Sequence, residues 1–337
     1  MKPIVLAYRS SWNENDLPPD RVNWSLLTHI AHSFALAESG GIRFPPIDAS
    51  RALVETAHRN GVKVLLAVGG ADSNKALSAL CATEVGTQKL VAEIAAQVKK
   101  VGYDGADIDW EHPASVTDTN RLSRFAAALR GALPRPMLVT IAVPSVDWDG
   151  RWYDAPALLS HVDWAAVMCY DYYGPWSNRA GYHAALFPLK TGVPQADQTA
   201  LTASGSIRYW RETKRFPASK LILGIPLYVR GFRTKNWSDP VANPADKQFS
   251  VAYRTLKGAG VIDKTAVCAT WLAEDGAVIA SGDNPETALR KGAWAKQNGL
   301  AGIFFWELSQ DGDGKMVPSV IAAARKGFET GAATARR

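Results

Sequence analysis

Residues 103–112 read YDGADIDWEH, which combines the apolar residues of a buried strand with four acidic side chains. Successive side chains of a strand point to opposite faces. Asp107, Asp109 and Glu111 therefore share one face, while Ile108 and Trp110 take the other. This pattern predicts a strand in a sheet that is covered on both faces. Its carboxylates would all lie on one of those faces and form a functional site there.

Short apolar runs recur along the whole chain, and the acidic stretch contains the fourth of them. The eight runs are 3–8, 27–35, 62–70, 105–110, 137–145, 162–171, 220–229 and 300–308. Several are nearly continuous in Val, Ile, Leu and Ala. That composition is typical of parallel strands that are covered on both faces.

Amphipathic segments separate these runs, and the clearest lie at 48–61, 87–102, 118–133 and 284–299. Each begins with polar residues, carries an apolar stripe and ends near a glycine, and Asp48 or Ser50 is predicted to cap the first. Eight strands that alternate with helices predict a closed (β/α)8 TIM barrel, with residues 1–337 as a single domain. An open doubly wound sheet is the alternative, but no GxGxxG lies between a strand and a helix.

Two connections are longer than the others, and both follow late strands. Residues 174–199 are rich in Gly, Pro and aromatic residues and are predicted to form a loop over the barrel mouth. Residues 232–283 predict a small inserted α+β subdomain between strands 7 and 8, mainly β-rich. Within it, AVCATWLAEDGAVIASG (266–282) is typical of a hairpin with a DG turn.

The composition excludes several classes of protein. The net charge of +6 is spread along the chain without a run of five basic residues, so no nucleic-acid partner is expected. No eighteen consecutive residues are apolar, so no membrane span is predicted. MKPIVLAYRS at the start is not typical of a signal peptide, which leaves the cellular location open. Cys81, Cys169 and Cys268 are predicted to be buried thiols, although one bridge is possible.

The acidic strand, placed in a barrel, predicts an active site. Its three carboxylates would line the interior and approach the C-terminal mouth, where barrel enzymes have their active sites. Buried like charges do not all ionise, so at least one should keep a proton near neutral pH, as a general acid must. A metal site and a solvated acidic turn are the alternatives. The spacing does not match a calcium loop, only His112 is adjacent, and Ile and Trp lie between the acids.

DGADIDWE (104–111) closely resembles the DGxDxDWE signature of glycoside hydrolase family 18, the chitinases and their relatives. Other segments resemble the family in the same order and extend the resemblance to roughly residues 3–328. They are LTHIAHSFA (27–35), VLLAVGG (64–70), MCYD (168–171), LGIPLYVRGF (223–232) and GIFFWEL (302–308). Ala67 stands where the family's SxGG segment usually has Ser, and this removes a supporting hydrogen bond.

The resemblance implies a retaining mechanism in which the substrate's own 2-acetamido group is the nucleophile. Glu111 would be the general acid and base, and Asp109 would hold the acetamido N–H. Asp107 would share a proton with Asp109, and Tyr170 would orient the acetamido oxygen. No metal and no other cofactor are implied. Asp104, at the start of the strand, is expected to be structural.

The resemblance also implies a set of substrate-binding residues near the strand ends. Trp306 would form the floor under the reacting sugar, since sugar faces stack on aromatic rings. Arg230 is either a sugar contact or part of a structural ion pair. The other members are Tyr8, Phe34, Met168, Asp171 and Tyr228. Several tryptophans in predicted loops could form outer subsites or simply pack locally: Trp12, Trp148, Trp152, Trp176 and Trp237.

A chitinase that cleaves β-1,4-linked N-acetylglucosamine chains is the function that the resemblance favours, with chitin or its oligosaccharides as partner and a monomer as the expected state. An endo-β-N-acetylglucosaminidase, or another family hydrolase of N-acetylglucosamine-containing glycans, has the same motif and stays open. A non-catalytic lectin is disfavoured because Glu111 is present. A metal-dependent barrel hydrolase would differ by losing its activity to a chelator.

Overall fold

A computed structural model of the chain describes residues 3–13, 16–189, 200–241, 249–272, 276 and 278–332. The eight predicted runs form parallel strands, each paired with the next, and the last pairs with the first to close the ring. The TIM barrel is therefore confirmed. Its strands are β1 Ile4–Ser10, β2 His29–Glu38, β3 Lys63–Gly70, β4 Gly105–Trp110, β5 Leu138–Val143, β6 Ala165–Val167, β7 Leu221–Pro226 and β8 Gly302–Trp306.

Helices follow the strands and cover the outside of the barrel. The α-helices among the described residues are Ile47–Arg59, Asn74–Leu80, Glu84–Val101, Val116–Ala132, Asp147–Gly150, Ala155–Leu159, Ala203–Arg208, Pro285–Gln297 and Val320–Thr330. Thr83, Ser115 and Asn284 cap three of them through side-chain oxygens. The predicted cap at Asp48 or Ser50 is wrong. That helix begins at Ile47, and the Ser50 hydroxyl instead donates back to the Pro46 carbonyl at 2.8 Å.

Apolar side chains form two layers around the barrel wall. The larger cluster lies between strands and helices, and includes Leu53, Ile94, Ile108 and Trp110. The smaller cluster fills the barrel itself, and its aromatic members are Tyr8, Phe34, Trp164, Tyr170, Tyr228 and Phe304. The alternation within β4 explains the division, because Ile108 and Trp110 point outward to the helices while the carboxylates point inward.

The long connection after β7 forms a second, antiparallel sheet. Its strands, in spatial order, are Phe249–Ala252, Tyr228–Phe232, Ile279–Gly282, Cys268–Leu272 and Val261–Asp263. The sheet starts at Tyr228, before the predicted boundary at 232, because Tyr228 already pairs with Ala252. Its helical content among the described residues is one 3-10 turn, Tyr253–Thr255. The predicted DG turn includes Asp275, which lies outside the described residues.

The remaining short elements lie between the barrel strands or after the last one. Gly41–Arg43 pairs antiparallel with the end of β2. Among the described residues, the other 3-10 turns are Pro19–Arg21, Trp24–Leu26, Ala218–Lys220 and Leu308–Gln310, and Tyr209–Thr213 is one turn of π-helix. Of the predicted loop at 174–199, residues 190–199 lie outside the described part of the chain.

Two predictions from composition can be compared with this fold. Cys81, Cys169 and Cys268 are all free and buried, as predicted. Among the helices that the structure describes, none has the length and apolar character needed to cross a lipid bilayer.

Candidate active site

The acidic side chains of β4 lie in a row that rises toward a cleft of about 830 Å³ at the C-terminal mouth of the barrel. Asp107 is fully buried below the cleft, Asp109 is 3% exposed at its floor, and Glu111 follows the last residue of the strand at its edge. Asp104, at the other end, accepts hydrogen bonds from the Val64 amide and from His58, which is a structural role.

Asp107 is held by two hydroxyl groups from other strands, Tyr8 on β1 and Thr140 on the adjacent strand β5. Tyr8 donates to Oδ2 at 2.6 Å, and Thr140 donates to Oδ1 at 2.5 Å. Burial raises the pKa of Asp107 to about 6, and the hydrogen bonds from Thr140 and Tyr8 oppose that rise. Each carboxylate oxygen is thus satisfied, as a buried acid requires.

Asp109 and Glu111 interact directly through their carboxyl groups. Burial and the charges of Glu111 and Asp107 raise the pKa of Asp109 well above its usual value. Burial, followed by the charge of Asp171, raises the pKa of Glu111 to about 7, against the hydrogen bond from Asp109. The pair therefore keeps a proton near neutral pH. Asp109 Oδ1 is buried without a hydrogen-bond partner within the described structure and is free to accept a donor from a ligand.

The MCYD segment lies in the connection after β6. The predicted strand over 162–171 is shorter than expected, because β6 ends at Val167, and Asp171 has a left-handed φ of 59°. Met168 and Tyr170 nevertheless line the cleft. The Tyr170 ring contacts Tyr228 and Phe304 edge to face, with ring centroids 6.2 and 6.0 Å apart.

Asp171 is the centre of an ionic cluster on one wall of the cleft. The Arg230 guanidinium binds it through two bonds of 2.5 and 2.9 Å, and the Tyr228 hydroxyl donates to it at 2.8 Å. Burial acts to raise the pKa of Asp171, but the bonds from Arg230 and His183 outweigh it and lower the pKa. Arg230 is thus the ion-pair partner that the sequence left open, while it also lines the cleft.

Aromatic side chains line another part of the cleft. The rings of Phe34 and Trp306 are stacked with centroids 5.7 Å apart, and Trp12 extends this part next to Phe34. Trp12, Trp148 and Trp176 are more than half exposed and line the cleft. Trp237, by contrast, packs against Tyr182 with a centroid distance of 4.7 Å. The cleft therefore has large, open aromatic surfaces of the kind that stack on sugar rings.

His112 belongs to the site, although the sequence suggested it only as a metal ligand. Tyr153 donates its single proton to the Trp110 carbonyl at 2.7 Å, so its oxygen can only accept from His112 Nδ1, 3.1 Å away. The proton on Nδ1 leaves Nε2 facing Glu111 Oε2 at 3.6 Å. Burial lowers the pKa of His112 and favours this neutral ring. Strand alternation could not predict that His112 belongs to the site, because β4 ends at Trp110.

Other residues of the site carried no signal in the sequence. Thr140, Asp149 and Gln310 are ordinary residues in their segments, and only the fold brings them to Asp107 or to the cleft. Among the described residues, no group of three or more His, Cys, Asp or Glu side chains is arranged to hold a metal ion.

The double glycine at the end of β3 lets this strand approach β4. Gly69 has a φ of 118°, and a Cβ placed there would overlap the Asp109 carbonyl oxygen. Gly70 is next to the Phe34 ring, which would lie 2.7 Å from such a Cβ. The position of the Asp109 backbone and that of the Phe34 ring therefore both require glycine, which has no side chain, at residues 69 and 70.

Replacing Gly69 with Ala is expected to destabilise the fold by about 1–3 kcal/mol more than replacing Gly61, because the added methyl group meets backbone that cannot move aside. Gly61 is a matched control, since its φ is 71° but a Cβ there has nothing within 4 Å. Urea unfolding of both variants measures the difference. Equal losses would show that the left-handed φ alone matters at residue 69.

Comparison with known proteins agrees with this geometry. The sequence pattern of Glycosyl hydrolases family 18 matches residues 4–311. The chain belongs to glycosyl hydrolase family 18. It is therefore a glycoside hydrolase by family, and the resemblance inferred from DGADIDWE is confirmed.

Relatives from plants and insects align with most of this chain but with different shares of their own length. A class V chitinase of Arabidopsis thaliana is 26% identical over 351 residues, which cover 96% of this chain and 89% of the relative. The Drosophila melanogaster protein called probable chitinase 10 is 26% identical over 349 residues, or 91% of this chain. The aligned part is only 15% of that longer protein.

Solved family 18 structures share the whole barrel. A chitinase from Cycas revoluta, in complex with (GlcNAc)3, is 25% identical with a TM-score of 0.83, covering 96% of this chain and 99% of that one. The group IV chitinase of Ostrinia furnacalis, at 21% identity, has a TM-score of 0.87 and covers 97% of this chain and all of the other. The second likeness supports the fold alone.

Proposed function

We propose that the protein is a chitinase that hydrolyses β-1,4-linked N-acetylglucosamine chains with retention of configuration. The observation that carries this proposal is the Asp109–Glu111 pair, which holds a proton at the floor of the cleft and leaves Asp109 Oδ1 free. The family and the chitinase names of its relatives support the substrate class. Glu111 is the only member of the carboxylate row at the edge of the cleft, where a glycosidic oxygen can reach it.

In the proposed reaction, Glu111 donates its proton to the glycosidic oxygen as the bond from that oxygen to C1 breaks. The acetamido carbonyl oxygen of the same sugar forms the new bond to C1 and gives an oxazolinium ion. Asp109 accepts the acetamido N–H, and its charge stabilises the positive ring. The Tyr170 hydroxyl donates to the acetamido oxygen. Water then attacks C1, Glu111 takes its proton, and the ring opens with retained configuration.

The remaining predicted residues bind the chain of sugars in this proposal. Trp306 stacks on the face of the reacting sugar, and Phe34 and Tyr8 support that ring, with the Tyr8 and Trp306 centroids 5.5 Å apart. Met168 completes the pocket floor. Asp171, Tyr228 and Arg230 present hydrogen-bonding groups to the sugar hydroxyls from the wall around Asp171.

We also propose that residues 1–337 act as one catalytic domain, with the insertion as a wall of its cleft. Tyr228 and Arg230 belong to the first strand of the inserted sheet and line the cleft themselves. They bind Asp171, which follows barrel strand β6. The insertion thus contributes directly to the site.

The test is hydrolysis of chitotetraose and of its fully de-N-acetylated counterpart, each with and without EDTA, followed by proton NMR of the first product. We expect cleavage of the acetylated chain alone, unchanged by EDTA, with the β-anomer formed first. An α-anomer, or cleavage of the glucosamine chain, would contradict the substrate-assisted mechanism. Inactivity on chitin oligomers with cleavage of an N-glycan core would favour the endo-β-N-acetylglucosaminidase alternative.

The pH dependence of kcat/KM should have its alkaline limb at about pH 7. Glu111 must be protonated to act as an acid, and its raised pKa of about 7 preserves the proton up to that pH. Activity is therefore expected to fall about tenfold per pH unit above it. Initial rates of chitotetraose cleavage, measured by chromatography from pH 4 to 9, give the profile. Full activity at pH 9 would show that another group supplies the proton.

A further inference from the structure

Asp107 is the deepest acid of the row, and its surroundings differ from those of the other two. It is fully buried, and it does not line the cleft. The groups that face it are Tyr8 from β1, Thr140 from β5 and Asp109 from its own strand. Asp107 is thus surrounded by two hydroxyl donors and one further acid inside the barrel.

Strand register shows where those donors can come from. Asp107 lies between Ala67 on β3 and Thr140 on β5, each of which is its direct partner across the sheet. All three positions are fully buried. Ala67 has no donor, so the hydrogen bond to Oδ1 comes from Thr140. A hydroxyl group could reach Asp107 from either cross-strand partner, residue 67 or residue 140, and in this chain residue 140 provides it.

We infer that Thr140 is a positioning residue for the reaction: its hydroxyl fixes the Asp107 carboxylate and keeps it ionised beneath Asp109. This inference rests on the proposed function. An ionised Asp107 disfavours ionisation of Asp109 and so keeps a proton on the Asp109–Glu111 pair. Without the hydroxyl, Oδ1 would be a buried acceptor with no partner, and the proton would be drawn down to Asp107.

The test compares three variants that differ mainly in whether, and on which side of Asp107, a hydroxyl group is present. Thr140→Val removes it with little change of shape, Thr140→Ser keeps it, and Ala67→Ser combined with Thr140→Val places one on the other side of Asp107. We expect Thr140→Val to lower kcat on chitotetraose about 10- to 100-fold with little change in KM, as for loss of a hydrogen bond to a charged group. Thr140→Ser and the double variant should recover most of that loss.

The acid limb of the pH profile is a second readout that a purely structural role would not move. Loss of the hydrogen bond raises the pKa of Asp107, so the limb should move upward by about one pH unit in Thr140→Val and return in the double variant. Unchanged kcat and an unchanged limb in Thr140→Val would overturn the inference, as would a loss that the double variant does not recover at all.

A readout without substrate separates this inference from the proposed function. Carboxyl carbons of labelled aspartate, followed by NMR, report the pKa of Asp107 in the parent and in Thr140→Val. A raised pKa in the variant supports the role of Thr140 at Asp107 even if the parent does not cleave chitin oligomers. An unchanged pKa contradicts it even if the parent is an active chitinase.

Discussion

Replacing Glu111 with Gln is expected to lower kcat on chitotetraose by about 10³-fold, within the range that a general acid–base group contributes. Gln has nearly the same shape but no proton to donate to the glycosidic oxygen. Since the side chain of Glu111 is only 23% exposed at the cleft edge, solvent acids replace it poorly. KM should change much less than kcat, because the sugar contacts proposed for Trp306 and Arg230 are untouched.

The matched control is Glu286→Gln, which makes the same chemical change at a surface ion pair with Arg290. It should keep at least half of the parent activity. Circular dichroism and thermal unfolding of both variants exclude a loss of fold. If Glu111→Gln were as active as the control, the proton donor would have to be another acid, and Asp149, which also lines the cleft, would be the first candidate.

The second large effect concerns stability and the buried pair of Lys291 and Asp283. Both side chains are fully buried, and Nζ lies 2.5 Å from Oδ2. Lys291 also donates to the Ala184 carbonyl, so it joins helix Pro285–Gln297 to the inserted sheet and to the loop beside the cleft. Lys291→Met should lower the free energy of unfolding by about 3–5 kcal/mol, because a carboxylate is left buried without its counter-charge.

Urea unfolding measures this loss, with Lys89→Met as control. Lys89 forms an exposed pair with Glu93, and its replacement should cost at most about 1 kcal/mol. Adding Asp283→Asn to Lys291→Met should recover part of the loss, since the remaining group carries no charge and still accepts the Thr287 hydroxyl. Equal stability of Lys291→Met and Lys89→Met would contradict the expected cost of leaving the Asp283 carboxylate without its counter-charge.

The barrel could be predicted because its signals are local. The apolar runs of β3, β4 and β8 match the observed strands within a few residues. β6 is the exception: its run over 162–171 is apolar beyond Val167, but the chain there turns toward the cleft at Asp171. Apolar composition marks burial, and burial continues past the point where strand pairing ends.

Part of the site was predictable for the same reason. Alternation places Asp107, Asp109 and Glu111 on one face of a strand wherever that strand lies. His112 could not be recognised in this way, since it lies beyond the strand end at Trp110, where alternation no longer applies. The ion pair of Arg230 with Asp171 joins residues 59 apart in the chain, and no pattern in either segment indicates it.

The sequence by itself determined the barrel, the row of acids inside it and the family to which the chain belongs. Only the tertiary structure decided which groups hold those acids and in which direction their pKa values shift. Tyr8 and Thr140, the donors to Asp107, lie 99 and 33 residues away from it. The physical reason is that local alternation sets the face of the strand on which each side chain lies. Burial, charge and hydrogen bonding at a carboxylate depend instead on every strand that surrounds it.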